Sequence, residues 1–226
     1  MTACFLALAL LQIPGGAGSP VDEGVLVVRV DTLEVARESF RLNHGRLSRG
    51  GEGWTLATTI RYDRARPVVV LSPILEVNGD TMPATLQYDV ADPRQPSRIL
   101  GELGRGRFTV RLVARATERA REFPTGNRAV VLDDSVFAPY LFAAWRAASD
   151  PATLTAIFPR GLRRETVQIQ DLGQGSTNLN RAPTSLRHIT VSGGQETVHV
   201  WLDASGRLMK VEIPSRRLSA ERLAGG

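Results

Sequence analysis

Apolar residues recur at every second position through much of this chain. In WTLATTIRY, residues 54–62, Trp54, Leu56, Ile60 and Tyr62 fall on one face and Thr55, Thr59 and Arg61 on the other. In RFTVRLVARAT, 107–117, Phe108, Val110, Leu112 and Ala114 oppose Thr109, Arg111 and Arg115, and in ETVQIQD, 165–171, Val167 and Ile169 alternate with Gln168 and Gln170. A period of two is that of a strand with one buried face. GVLVVRV (24–30) and RESFRL (37–42) read as an opening strand pair, and LRHITV (186–191) as a strand late in the chain. Within ILEVNGDTMPATLQYDV, 74–90, Asn78-Gly79 predicts a turn between two strands, and Pro83 confines the return strand to an edge or a bulge. Strands this short and frequent predict a mainly β fold: a curved antiparallel sheet, half-barrel or barrel, over residues 20–226.

One segment breaks the alternation. LDDSVFAPYLFAAWRAAS, 132–149, is rich in alanine and large apolar residues, with Asp133, Asp134 and Ser135 as caps and Asp150-Pro151 as a stop. It predicts one principal helix over 136–148, with Pro139 in the first turn, where a missing N–H costs little. Val136, Phe137, Tyr140, Leu141, Phe142 and Ala144 cover so much of its circumference that it should be buried. Such a helix either caps a barrel or lines an apolar cavity against the sheet. In the second case Phe137, Tyr140, Leu141 and Trp145 are the candidate ligand-binding residues.

The closing stretch HVWLDASGRLMKVEIP, 199–214, sets a histidine, an aspartate and a serine within seven positions. Strand geometry argues against a catalytic set, because His199 and Asp203 lie roughly 13 Å apart along an extended strand. A hairpin turning at 204–207 pairs Leu202 with Met209, Val200 with Val211 and Val198 with Ile213 on an apolar face. His199 with Glu212 and Trp201 with Lys210 then form the other face, and His188 approaches His199 if LRHITV is the neighbouring strand.

Charge and motifs narrow the function. Lys and Arg total 28 against 23 Asp and Glu. Arg98, Arg105, Arg107, Arg111, Arg115, Arg119 and Arg121 are nevertheless spread along one region and interleaved with Glu102, Glu118 and Glu122. That pattern is a solvated charged face with some attraction to anionic headgroups, and no nucleic-acid partner is expected. DLGQGSTNLN, 171–180, echoes the aspartic-protease motif, but Leu172 replaces the required hydroxyl residue and no second motif exists, so 171–183 reads as a loop. His44, His188 and His199 lack metal-ligand spacing. Neither enzyme activity nor a cofactor or metal is expected.

The first 19 residues, MTACFLALALLQIPGGAGS, carry an apolar run from Ala3 to Ile13. It is shorter than the about 20 residues that cross a bilayer and ends in small residues, as a signal peptide does. The n-region lacks Lys and Arg, which leaves an upstream true start or a buried N-terminal strand as the alternatives. Cleavage after export gives a periplasmic or secreted protein with no transmembrane segment, and the single Cys4 allows no disulfide and stands at the start of the apolar run, whereas a lipid-anchored cysteine would follow the run.

The pattern SLRHITVSGGQETVHVWLDASGRLMKVEIPSRRLSAER, 185–222, looks like the C-terminal meander of exported bacterial proteins of unknown function. With RESFRL it resembles families associated with the LolA/LppX-like half-barrel of periplasmic lipid and lipoprotein carriers, mainly over 24–42 and 163–222. The resemblance implies a curved sheet with helical cover and an apolar cavity, and it transfers no functional residue. The expectation is therefore a non-catalytic envelope protein that binds a lipid or other amphiphile between sheet and helix, or meets an envelope protein partner. The alternative is a structural or interaction protein with a packed core and no ligand.

Overall fold

A computed structural model describes residues 20–126, 128–194 and 196–224; the signal segment expected at 1–19, with Cys4, lies outside them. Eight strands run as an antiparallel meander: β1 (Pro20–Val30), β2 (Leu33–Arg46), β3 (Glu52–Tyr62), β4 (Val69–Asn78), β5 (Pro83–Ala91), β6 (Ser97–Gly104), β7 (Arg107–Ala114) and β8 (Glu118–Pro124). A second meander comprises β10 (Ala152–Phe158), β11 (Arg163–Leu179), β12 (Ala182–Gly193), β13 (Glu196–Leu202), β14 (Leu208–Ile213) and β15 (Leu218–Arg222). β1 pairs with β15 and joins the two, while the short β9 (Ala129–Val131) lies parallel to β10. The result is one mainly β, fifteen-stranded sheet.

The order of strands forces curvature. β8 and β9 are the two ends of the sheet, yet only residues 125–128 connect them. Laid flat, the sheet would separate its ends by about 65–70 Å at ~4.8 Å per strand. A four-residue link spans at most about 18 Å. The sheet therefore curls into a barrel-like wall, left unclosed at the β8/β9 seam, which Arg121 bridges by donating from Nη1 to the Leu162 carbonyl at 2.9 Å. On the concave face Phe108 lies so close over Gly101 that a Cβ there would sit 2.7 Å from its ring.

The predicted helix is shorter than expected. Helix α1 spans Tyr140–Ala144, with Pro139 as its N-cap residue, instead of 136–148. Both ends of the segment close i→i−3 turns instead, Tyr140 N–H to the Phe137 carbonyl at 3.1 Å and Arg146 N–H to the Ala143 carbonyl at 3.0 Å, while the Glu38 carboxylate of β2 accepts from the backbone N–H groups of Phe137 and Ala138, both at 2.8 Å. Upstream, Asp133 Oδ1 takes the Ser135 N–H at 2.7 Å. All five helical residues are buried, and with Val136 and Phe137 they fill the space between this segment and the sheet.

The closing hairpin has the expected register at His199/Glu212, Val200/Val211 and Trp201/Lys210, but Leu202 faces Leu208 instead of Met209. Asp203 explains the shift, since its Oδ1 accepts from the N–H groups of Ser205 and Arg207 and tightens the turn through Gly206 at φ 77°. Leu208 becomes the buried residue.

Half of the second face of that hairpin is covered, since Trp201 is 6% and Lys210 4% exposed, while His199 and Glu212 stay partly exposed. Residues 171–183, expected as a loop, are mostly the distal half of β11 and its turn into β12. A bulge between Asp171 and Gln174, with Gly173 at φ 77°, bends this arm across the outer face of β13–β15. There Lys210 Nζ donates to the Asn178 carbonyl at 3.0 Å, Asn180 Nδ2 donates to the Arg222 carbonyl at 2.9 Å, and the Trp201 ring lies against Gly175.

Candidate functional site

The four residues expected to hold a ligand separate into distinct environments. Phe137 and Leu141 point into the core and are fully buried. Trp145 is half-buried, edge-on to Trp54 at 4.9 Å, and its Nε1 donates to the Gly206 carbonyl at 3.0 Å, tying α1 to the closing hairpin. Tyr140 alone of the four lines a pocket, of about 250 Å³, between α1 and the ends of β10–β13. Its side chain belongs to a residue 4% exposed, and its hydroxyl makes no hydrogen bond among the described residues. Burial raises the phenol pKa above its ordinary value, and the charge of Asp134 adds to that. Phe158, Val167 and Val198 form apolar walls. The rim is ionic: Arg163 meets Asp134 at 2.8 Å and lies 3.7 Å from the Phe158 ring centroid, while Arg216 joins Glu196. A small molecule with an apolar body and one polar group is what such walls and a free phenol accommodate.

A second polar group sits deeper and was not anticipated from the sequence. Glu38 is wholly buried and accepts from Phe137, Ala138 and Thr58. Burial pushes its pKa up to about 7, although the two backbone N–H groups favour the charged form. Beside it Arg160 grips Asp133 through two bonds of 2.8 and 2.7 Å, Tyr88 donates to Asp133 at 3.2 Å, and Tyr62 donates to the Ser135 carbonyl at 2.7 Å. These groups satisfy one another and fasten the 133–139 segment to the wall. One sequence signal pointed to them: Glu38 occupies the apolar phase of β2, between Ala36 and Phe40.

The two histidines do come together. His188 Nε2 and His199 Nδ1 are 2.8 Å apart, one ring donating and the other accepting, and His188 stacks on Trp201 at 3.9 Å. Burial lowers the His188 pKa and the neighbouring His199 lowers it further. Among the described residues no three His, Cys, Asp or Glu side chains are grouped to hold a metal ion. No helix among them is long and apolar enough to cross a membrane.

The comparisons with known proteins bear on the fold alone. The chain is similar to a crystal structure of a beta-barrel-like protein of a domain of unknown function, DUF1849, from Brucella abortus, with a TM-score of 0.51 at 10% identity over 89% of this chain and 93% of that one. That likeness supports the barrel-like fold without singling out the LolA/LppX-like half-barrel. No protein-family model and no curated protein matches the chain.

Proposed function

We propose that this chain is an exported, non-catalytic protein of the bacterial cell envelope that binds a small amphiphile at the end of its barrel-like sheet. The observation that carries the reading is Tyr140: a phenol 4% exposed, without a hydrogen-bond partner among the described residues, in a pocket of about 250 Å³. The hydroxyl opens into the pocket without a protein partner, so its hydrogen bond is left to water or to the polar group of a ligand. The apolar walls and the ionic rim fit a ligand with a short chain and a polar end, or the end of a longer chain.

The test is binding by the mature chain. With octyl glucoside and decanoate as probes below their micellar concentrations, the melting temperature should rise. Tyr140→Phe should keep the melting temperature of the free protein and weaken binding about fivefold, the worth of one hydrogen bond. No gain with either probe, together with no small molecule retained in native mass spectra, would sink the reading. The second reading, an interaction protein with a packed core, then gains from one feature: β8 pairs only with β7, and its outer edge can receive a partner strand.

A further inference from the structure

We propose a second binding site, independent of the Tyr140 pocket, that takes an amphiphile bearing a phosphate group. It lies on the concave face where β5–β8 approach the loop after β10. Cross-strand pairing aligns Tyr88, Ile99, Leu112 and Arg119 in one row, and Val90, Ser97 and Ala114 in the next. Tyr88 fixes this as the inner face, because its hydroxyl reaches Asp133 of the segment that fills the barrel. Val90, Ile99, Leu112 and Ala114 form the floor of an open groove of about 580 Å³, and Arg94, Arg115, Arg119 and Arg160 stand around it.

The charge pattern separates this groove from the rest of the surface. On the opposite face of the same strands, arginines are neutralised across the ladder: Arg98 by Asp89 at 2.7 Å and Arg111 by Glu118 at 2.6 Å. Toward the groove the acids are missing. Arg160 is committed to Asp133, but Arg115 and Arg119 form no ion pair among the described residues, and Arg94 spends its guanidinium on the Arg66 carbonyl. The one carboxylate lining the groove, Asp92, accepts from the Arg94 backbone N–H at 2.9 Å. Uncompensated guanidinium forks over an apolar floor suit a phosphate, which they engage bidentately, on a chain that covers the floor.

Calorimetric titration of the mature chain tests this. Decyl phosphate should bind, inorganic phosphate should bind at least tenfold more weakly for lack of a chain, and any decyl maltoside held in the Tyr140 pocket should be indifferent to the arginine variants for lack of charge. Raising the salt should weaken decyl phosphate binding. The double variant Arg115→Gln/Arg119→Gln should lose at least tenfold in decyl phosphate affinity with the free protein's melting temperature unchanged, since both side chains are exposed. Arg107→Gln, whose partner is Glu122, should bind as the parent does. Cosedimentation with phosphatidylglycerol vesicles would identify a membrane headgroup as the source of the phosphate, whereas decyl phosphate binding without cosedimentation would identify a free amphiphile; both support the site. Equal affinity for inorganic phosphate, a double variant that weakens decyl maltoside as much as decyl phosphate, an undiminished double variant, an equally weakened Arg107→Gln, or no binding of decyl phosphate would overturn it.

Discussion

A carboxyl group with no exposed surface makes stability a function of pH, and Glu38 is that group here. Its pKa, about 7 against an ordinary 4.5, follows mainly from burial. Below the ordinary value the side chain is protonated in both the folded and the unfolded chain. Between about pH 4.5 and 7 only the unfolded chain ionises, so folding stability falls as the pH rises through this range and stays lower above it. A shift of this size corresponds to roughly 3 kcal/mol. The stability of the parent relative to Glu38→Gln, from denaturant midpoints, should therefore drop by that order between pH 4 and 8. A difference flat across this range would show that the N–H groups of Phe137 and Ala138 hold Glu38 ionised, and that burial does not dominate.

Among the elements, the bent arm of β11 and β12 departs most from the pattern of an ordinary meander. It is latched to the sheet by polar bonds at Lys210 and Asn180 and by the stack of His188 on Trp201. The lowered His188 pKa means that the folded arm favours a neutral imidazole, so its contribution is present above the ordinary histidine pKa and is lost as the pH falls through the lowered one. Hydrogen-exchange protection of residues 174–186, corrected for intrinsic rates, should fall as the pH drops below the ordinary histidine value of 6.5 while that of β1 and β2 holds. His188→Phe keeps a ring on Trp201 and removes the titration, so it should abolish most of that fall; an unchanged fall would place the sensitivity elsewhere. This arm also marks where legibility in the sequence ends. Alternation found β1 to β5, β7, the first half of β11 and β12 but not β6, β8, β9, β10 or β15, and the apolar pattern found the β13/β14 register at Val200/Val211 but not at Met209, where the Asp203 turn displaces it. Residues 172–180 alternate nothing apolar, because they cover Lys210 and Trp201 with backbone and small side chains. The helix is shorter than its apolar run because both ends tighten into i→i−3 turns, at Tyr140–Phe142 and at Arg146–Ala147, which an apolar pattern does not distinguish from a helix. Tyr140 was visible as part of an apolar segment, but the inward turn of Arg119 was not, since Phe123 is the one buried residue of β8 and arginines fill the rest of its inner phase.

At the scale of the whole molecule, two agents could hold the curl of an unclosed sheet: the short link 125–128, and the packing of the central segment against the walls. The interior argues for packing. Val136, Phe137, Leu141 and Phe142 are all buried, and they touch a wall whose opposite halves come from the two meanders. The polar anchors point the same way, since Glu38 and Tyr88 belong to the first meander, Arg160 follows β10 of the second, and all three grip residues 133–138. The central segment thus works as a rivet between halves that share ladder bonds only at β1 and β15. If so, the link itself matters little. Inserting eight Gly/Ser residues after Gly126 triples its length, and loop-closure entropy assigns that change a cost of about 1 kcal/mol. The inserted variant should unfold in one transition, at a slightly lower denaturant midpoint and with an unchanged slope. A second transition, or a loss of several kcal/mol, would mean that the link and not the rivet bends the sheet.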